Sequence, residues 1–269
     1  MYLDYFKLAE HPFKLTSDPR FLWYSDQHLE AKSKIEYYLT EKAGPIYLLA
    51  DYGTGKSTLA RRLAEELQQN PALLVVLTSI PPKMRTINAF LRSIMDEFKV
   101  KTDRSYARSL KNFENFLIEQ YQKNVSPVLL IDEAQNMSRE MLLLIQHFFN
   151  FSTNTEFLLQ MALFTQPELQ PMIERLGSLK SRLSVARLKP FDLEKTKHML
   201  TFRWTVAGGK ALPFDEEALE EIFRLTNGLP RAIVRLANET LLKIAQIDKA
   251  VATKEDVLAG AAEAAIGKL

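Results

Sequence analysis

Cysteine is absent from all 269 residues of the chain. A disulfide, a thiolate zinc site and a thiol nucleophile are therefore excluded, and the composition suits a reducing compartment. Long apolar runs are absent as well, since the most hydrophobic stretch, residues 157–164, is interrupted by Gln160, whereas a membrane span needs roughly 18 apolar residues. Asp4 stands where a signal peptide would be basic. We expect a cytoplasmic protein with no membrane partner.

An excess of charge of one sign is also missing. The 35 Lys and Arg residues nearly balance the 33 Asp and Glu residues, which leaves a net charge of +2. Any nucleic-acid partner must therefore be bound by a local patch. Hydrophobic residues make up 46% of the chain, as in ordinary folded proteins, and the length suits one large lobe with a smaller one.

Short apolar runs alternate with segments of helical periodicity from Gly44 onward, which is the pattern of a parallel sheet covered by helices. The five apolar runs are 46–50, 73–78, 128–131, 157–164 and 183–188. After residue 190 only helices are predicted, starting near Asp192, Asp215, Leu229 and Thr253. We predict an α/β fold with a five-stranded parallel sheet flanked by helices over residues 1–190, of which 1–43 form an N-terminal extension and helix. A C-terminal helical lid is predicted over residues 191–269.

The most specific motif follows the first predicted strand and opens a helix. It reads Ala50-Asp51-Tyr52-Gly53-Thr54-Gly55-Lys56-Ser57, followed by Thr58, and it predicts a phosphate-binding loop formed by residues 52–58. The amides of such a loop donate to phosphates, Lys56 reaches the β- and γ-phosphates, and Ser57 offers an oxygen to magnesium. Ala50 replaces the usual first glycine, which is tolerable where that residue has β conformation.

A second motif is an apolar strand over residues 128–131 that ends in Asp132 and Glu133. We predict that this strand lies next to the first strand and brings both acids beside the loop. Asp132 would hold magnesium through its water shell, and Glu133 would orient and deprotonate the attacking water. The alternative is that the two acids form a solvated helix cap. Taken together, the loop and the acids predict nucleotide hydrolysis.

Further polar residues are placed to contact the γ-phosphate. Thr165 and Gln166 follow the fourth apolar run, where either would lie between the loop and Asp132 as a sensor. Arg231 begins a lid helix and would fold over the phosphates of its own subunit. Arg182, before the last strand, is placed like an arginine finger that reaches a neighbouring subunit, and Arg175 competes with it. For each arginine the alternative is an ordinary surface ion pair.

The sequence resembles the AAA+ ATPases that include the TnsC-type transposition regulators and the ExeA-type ATPases of general secretion. The resemblance covers nearly the whole chain, and the combination of its segments is more specific than any one of them. The segments are His11-Pro12-Phe13, residues 16–21, His28-Leu29-Glu30-Ala31, the phosphate loop, residues 129–136, 166–169 and 188–191, and Gly228-Leu229-Pro230-Arg231.

What this resemblance implies is an AAA+ P-loop NTPase fold that binds ATP and Mg²⁺ between subunits. Lys56, Asp132 and Glu133 would act with a sensor at Thr165 or Gln166, an arginine in trans, and Arg231 in cis. Phe13 would lie beside the adenine, although core packing is the commoner role for such an aromatic side chain. The sequence departs from the family pattern at Ala50 and Thr165, which bears on turnover more than on nucleotide binding.

Size separates the two branches of the family. In the secretion branch the ATPase domain is usually followed by a membrane span and a cell-wall-binding domain, so a stand-alone module suits the transposition branch better. We therefore expect an ATPase that forms a homo-oligomeric ring or filament on double-stranded DNA and links a target-selection protein, which is CRISPR-guided in some members of the family, to a transposase. The alternatives are an ExeA-like ATPase of secretion or envelope assembly without DNA binding, and a nucleotide-binding scaffold without useful hydrolysis.

The expected DNA-binding face lies in residues 83–111, where eight Lys and Arg residues stand against three acids. Predicted loops make contact with a phosphate backbone easier, and the candidates are Lys83, Arg85, Lys101 and Arg104. Several copies of a modest patch in one ring would add up by multivalency. The alternative, to which we give equal weight, is that these residues form a solvated helix face that binds no DNA.

Overall fold

The computed structural model describes residues 2–16, 18–84 and 86–264. The strands in these ranges are β1 (Ile46–Ala50), β2 (Leu73–Ser79), β3 (Ser126–Asp132), β4 (Gln160–Thr165) and β5 (Ser184–Leu188). The α-helices in the same ranges are α1 (Tyr2–Phe6), α2 (Asp26–Thr40), α3 (Lys56–Leu67), α4 (Ile87–Glu97), α5 (Tyr106–Gln122), α6 (Arg139–Phe148), α7 (Gln170–Arg175), α8 (Gly177–Lys180), α9 (Leu193–Val206), α10 (Glu216–Thr226), α11 (Pro230–Gln246) and α12 (Lys254–Glu263). None of these helices is both long and apolar enough to cross a membrane.

The five strands form one parallel sheet in the order β2-β3-β4-β1-β5, which confirms the predicted five-stranded parallel sheet. The predicted neighbour of β1 was wrong: β4, not β3, pairs with β1, with Leu49 opposite Thr165. On its other edge β4 pairs with β3, where Leu163 lies opposite Ile131. Strand order is set by long-range packing, so the apolar pattern of each strand alone does not reveal it.

The chain divides into two compact units. The first, here called the sheet unit, comprises residues 26–52 and 59–188. Its inner strand β3 is apolar on both faces, and Val128 through Ile131 are fully buried, as expected for a parallel strand covered by helices. Helix α4 shows how the covering helices are built: Thr86 caps it by accepting a hydrogen bond from the amide of Ala89 at 3.1 Å, and Phe90 and Ile94 are fully buried one turn apart.

The second unit, here called the lid unit, comprises the described residues of 1–25, 53–58 and 189–269. The four predicted helix starts are confirmed, since Asp192, Asp215, Leu229 and Thr253 are the N-caps of α9, α10, α11 and α12. The expected Thr253–Asp256 capping box is present as well. Residues 265–269 of the predicted lid lie outside the described residues.

The sequence analysis placed the N-terminal segment in the α/β domain of residues 1–190. In the structure, the described residues of 1–25 are grouped with the lid unit instead. Phe13 and Phe21 are each only 2% exposed and belong to the same apolar cluster as Trp204 of α9 and Ile233 of α11. The hydroxyl of Tyr2 donates to Oδ1 of Asn238 at 3.1 Å, and burial, with a smaller effect of Glu239, raises the pKa of Tyr2 to about 12. The N-terminal segment around Tyr2, Phe13 and Phe21 therefore packs with the lid helices.

A half-buried arginine fastens this N-terminal segment to α9. The guanidinium of Arg203 donates to the backbone oxygens of Pro12 and Lys14, both at 2.9 Å, and lies 5.2 Å from the centre of the Phe21 ring. Burial lowers the pKa of Arg203 to about 10, and Asp18 opposes this shift. The side chain thus stays charged at neutral pH and holds the segment through two charge-assisted hydrogen bonds.

Candidate active site

The phosphate-binding loop connects β1 to α3. Ala50 is the last residue of β1 and is 2% exposed, so it has the β conformation in which a methyl group replaces glycine without strain. Gly53 and Gly55 have φ values of 84° and 93°. These left-handed values are readily adopted only by glycine, so the two glycines are required by the backbone of the loop.

Helix α3 begins at Lys56, directly after the loop. Thr54 and Lys56 are 1% and 5% exposed, and Ser57 is the second helical residue. The first amides of a helix have no partner within the helix, and the helix dipole favours negative charge at this end. A phosphate group is the ligand that suits such a loop, a helix N-terminus and a lysine together. The chemistry of these residues therefore fits a nucleoside triphosphate.

Within the lid unit, the loop is bonded to the start of α11. The amide of Arg231 donates to the carbonyl oxygen of Gly53 at 2.9 Å. The approach is so close that a Cβ atom on Gly53 would lie 2.9 Å from Cβ of Arg231. The expectation that Arg231 begins a lid helix is confirmed, because it is the second residue of α11, after Pro230. Its side chain is exposed, and its backbone is held beside the phosphate loop.

The sheet unit carries the two acids at the end of β3. Asp132 is the last residue of the strand, and one of its carboxylate oxygens accepts the amide of Glu133 at 2.8 Å. Glu133 has φ 55° and ψ 35°, a left-handed conformation that is costly for a residue other than glycine. Such a conformation persists only where surrounding contacts hold it in place. The hydrogen bond that the amide of Glu133 donates to the carboxylate of Asp132 is one such contact.

The turn that follows is anchored to β2. Residues Ala134–Asn136 form a short 3-10 helix, and Nδ2 of Asn136 donates to the carbonyl of Ile80 at 2.8 Å. The amide of Ile80 in turn donates to the carbonyl of Asp132 at 3.1 Å. These two bonds close a ring between the ends of β2 and β3, so the backbone that carries Glu133 is rigidly placed.

Gln135 joins Glu133 to the end of β4. Its Nε2 donates to Oε2 of Glu133, and its Oε1 accepts the amide of Gln166 at 3.4 Å. The sequence analysis missed this residue, although a polar side chain two positions after a candidate base was a usable signal. Strand β4 lies between β3 and β1, and Thr165 and Gln166 stand at its end; their role as sensors stays a prediction.

The two sensor candidates differ in accessibility. Thr165 is the last residue of β4 rather than a residue beyond the strand, it is fully buried, and its hydroxyl donates to the carbonyl of Gln166 at 3.1 Å. Gln166 is half-buried and caps the short 3-10 helix Pro167–Leu169. Gln166 is therefore the better placed of the two to contact a bound group.

The remaining predicted residues lie on several elements. Arg175 ends α7 and Arg182 lies in the turn before β5, and both side chains are exposed, as a residue that reaches another subunit must be. Tyr52 in the loop is 62% exposed, and Thr58 is half-buried in the first turn of α3.

Phe13 has the core role that the sequence analysis gave as the commoner one for such a side chain. It packs against Trp204, with ring centres 6.5 Å apart. It also lines a cavity of about 540 Å³ within the lid unit, together with Tyr2, His11 and Asn238. Its predicted contact with adenine remains a prediction.

The predicted DNA-binding residues lie in the sheet unit. Lys83, Lys101 and Arg104 are exposed and occupy loops on either side of α4, as predicted. Arg85 lies outside the described residues. Nearby on α5, Lys111 forms an ion pair with Glu114 at 2.8 Å, so part of this charge is neutralised locally.

A phosphate-binding loop after one strand of a parallel sheet, and a second strand of the same sheet that ends in two acids, define the P-loop nucleotide-binding α/β proteins. The comparisons with known proteins specify the family. A family model described as an AAA domain matches residues 39–173. The chain therefore belongs to the AAA family, and its fold is that of an AAA+ P-loop NTPase.

A curated relative is General secretion pathway protein A of Aeromonas hydrophila. It is 30% identical over 247 residues, which cover 90% of this chain and 44% of that protein. The chain thus spans less than half the length of this relative.

Solved structures with a similar fold come from proteins of low sequence identity. The ORC2 protein of Aeropyrum pernix has a TM-score of 0.66 at 15% identity and is matched over 90% of this chain and 68% of its own. The Cdc6p protein of Pyrobaculum aerophilum has a TM-score of 0.67 at 16% identity, with coverages of 97% and 71%. The RuvB Holliday junction branch migration motor of Thermotoga maritima has a TM-score of 0.58 at 17% identity, with coverages of 87% and 68%. At these identities the similarity shows the fold alone.

Proposed function

We propose that this AAA+ ATPase binds ATP with Mg²⁺ through the phosphate loop and hydrolyses it with Glu133 as the base. The observation that carries the proposal is the loop itself: two glycines with left-handed φ values stand before a buried lysine at the first position of α3. Glu133 follows β3, a strand of the same sheet as β1, and its conformation is held by Asp132. Its carboxylate supplies the general base that hydrolysis requires.

Different residues would bind the phosphates, hold Mg²⁺ and activate the attacking water. The amides of residues 53–57 and the ammonium of Lys56 would neutralise the phosphate oxygens. The hydroxyl of Ser57 and the carboxylate of Asp132 are the oxygens that would hold Mg²⁺, and when bound the ion would neutralise charge on the phosphates. Glu133 would accept a proton from the attacking water, and Gln166 or Thr165 would sense the γ-phosphate.

Two substitutions test this assignment. Lys56→Ala should abolish ATP binding measured by calorimetry, while thermal unfolding shows that the variant is folded. Glu133→Gln keeps the size of the side chain but not its basicity, so it should bind ATP with the parent affinity and release phosphate at least about 100-fold more slowly. Unchanged phosphate release by Glu133→Gln would remove this residue from its role. Unchanged ATP affinity of Lys56→Ala would contradict the phosphate site.

For the biological role, we propose ATP-driven work in secretion or envelope assembly, in the manner suggested by the name of the Aeromonas relative. This reverses the order of the two branches expected from the sequence, because that relative is a secretion protein and the transposase and target-selection partners draw no support from the comparisons. We also propose a homo-oligomeric ring or filament in which exposed Arg182 or Arg175 reaches the ATP of a neighbouring subunit. Sedimentation with and without an ATP analogue tests the assembly.

Double-stranded DNA remains a second candidate partner, favoured by the exposed cations of the loops beside α4. If it binds there, Lys83→Glu with Lys101→Glu should weaken DNA binding and reduce its dependence on salt. Lys7→Glu with Lys210→Glu, on exposed residues of the lid unit, changes the net charge equally and serves as the control. Equal DNA-binding curves for the two double variants would argue against this surface. If the parent protein binds no DNA, DNA is not a partner and the secretion role is the remaining proposal.

A further inference from the structure

We infer that Gln135 is a positioning residue that orients the carboxylate of Glu133 and ties it to the end of β4. The inference rests on the proposed ATP hydrolysis and adds a residue to it. Its basis is one side chain that makes two hydrogen bonds: its amide nitrogen donates to Oε2 of Glu133, and its amide oxygen accepts from the backbone N–H of Gln166.

The geometry leaves Gln135 few other arrangements. It sits in the middle of the 3-10 helix Ala134–Asn136, between Ala134, which is fully buried, and Asn136, whose side chain is bonded to Ile80. The turn is therefore fixed on both sides of Gln135, and the half-buried side chain emerges from a rigid base. A rigid base is what a residue needs in order to fix the direction of another side chain.

The chemistry of the amide suits the position. An amide carries both a donor and an acceptor, so one glutamine can donate to a carboxylate and accept from a backbone N–H at the same time. A carboxylate oxygen that accepts a hydrogen bond has a fixed direction, and the second oxygen is then aimed as well. The backbone conformation of Glu133 is held by Asp132, and Gln135 fixes its side chain, so the two contacts together define where the base points.

The link to Gln166 gives this arrangement a second consequence. Gln166 follows directly on β4, the strand that separates β3 from β1, and it is the better placed sensor candidate. A displacement of the backbone at Gln166 pulls on the oxygen of Gln135, and the nitrogen of the same amide moves the carboxylate of Glu133. The orientation of the base is thereby coupled to the end of the neighbouring strand.

Two substitutions at Gln135 separate its contacts. Gln135→Met keeps the length of the side chain and removes both hydrogen bonds. Gln135→Glu keeps an acceptor for the amide of Gln166 but loses the donor and places a like charge against Glu133. We expect the kcat of ATP hydrolysis to fall about tenfold or more for Gln135→Met and further for Gln135→Glu, while the Kd for a fluorescent ATP analogue changes less than about twofold.

The matched control is Gln170→Met. Gln170 also donates to a glutamate, Oε1 of Glu174, at 2.9 Å, but that pair lies on the outside of α7. This variant should retain the parent kcat and Kd. A loss of kcat caused by general damage to the fold would also lower the unfolding temperature and weaken nucleotide binding, so the split between kcat and Kd identifies a positioning role.

The outcomes distinguish this inference from the proposed function. If the parent protein hydrolyses ATP and both Gln135 variants match its kcat, the positioning role is refuted and the proposed function stands. A higher kcat in Gln135→Met also refutes it, because the glutamine would then restrain Glu133 rather than orient it. If the parent binds ATP without hydrolysing it in any oligomeric state, the proposed hydrolysis itself fails.

Discussion

Replacing Gly53 by alanine tests the join between the phosphate loop and α11. The added Cβ would lie 2.9 Å from Cβ of Arg231, about 1 Å inside the ordinary contact distance of roughly 4 Å. It would also impose a φ of 84° on a residue with a side chain. The left-handed conformation costs about 1–2 kcal/mol and the overlap about 1–3 kcal/mol, so we expect a loss of roughly 2–5 kcal/mol in the free energy of unfolding.

This loss is measurable in two ways. Thermal unfolding followed by circular dichroism should show a Tm lower by about 4–20 °C, given roughly 2–4 °C per kcal/mol for a domain of this size. Hydrogen exchange should show faster exchange of the Arg231 amide, since the bond to Gly53 must lengthen to relieve the overlap.

The control for this experiment is Gly177→Ala. No heavy atom lies within 4 Å of a Cβ built on Gly177, and its φ is not in the left-handed range. That substitution should change the free energy of unfolding by less than about 0.5 kcal/mol. A Gly53→Ala protein with the parent Tm and the parent exchange rate at Arg231 would refute the close approach described above.

Two further predictions concern the lid unit. Arg203→Lys cannot reproduce the two planar hydrogen bonds to Pro12 and Lys14. The N-terminal segment should therefore become sensitive to limited proteolysis near Phe13, while α10 to α12 stay protected. An unchanged digestion pattern would show that Arg203 does not hold this segment in place. The side-chain hydrogen bond from Lys195, and then the bond from its backbone, lower the pKa of Asp192. Because the folded pKa lies below the unfolded value of about 3.9, the stabilisation by Asp192 is present above that pH and is lost as the pH falls through the folded pKa. Asp192→Ala should therefore cost about 1 kcal/mol in urea unfolding at pH 7 and less at pH 3, and an equal cost at both pH values would contradict this assignment.

The features predicted well from the sequence depend on neighbours in the chain. The N-caps Asp192, Asp215 and Thr253 bond or face amides within the next three residues, and the pattern of the phosphate loop needs only a strand before it and a helix after it. The apolar runs of the strands are recognisable for the same reason, because a parallel strand covered on both faces is apolar along its own continuous stretch of sequence.

The features that the sequence did not reveal depend on distant residues. Which strand lies beside β1 is decided by the packing of the helices between the strands, so the insertion of β4 was unforeseen. Phe13 was correctly assigned to a core, but nothing near it in the sequence tells which unit supplies the rest of that core. Gln135 became visible as a site residue only when the end of β4 was placed beside the turn after β3.

The lid unit is assembled from segments far apart in the chain, and this affects how the protein is made. Residues 2–25 are translated long before α9 and α11, which cover them in the finished unit. During synthesis of the whole sheet unit, Phe13 and Phe21 have no native apolar surface to pack against, so the nascent chain carries exposed aromatic groups that favour aggregation. A chaperone that shields these groups until α11 emerges would raise the yield of folded protein, and lowering the translation rate would lengthen the vulnerable interval.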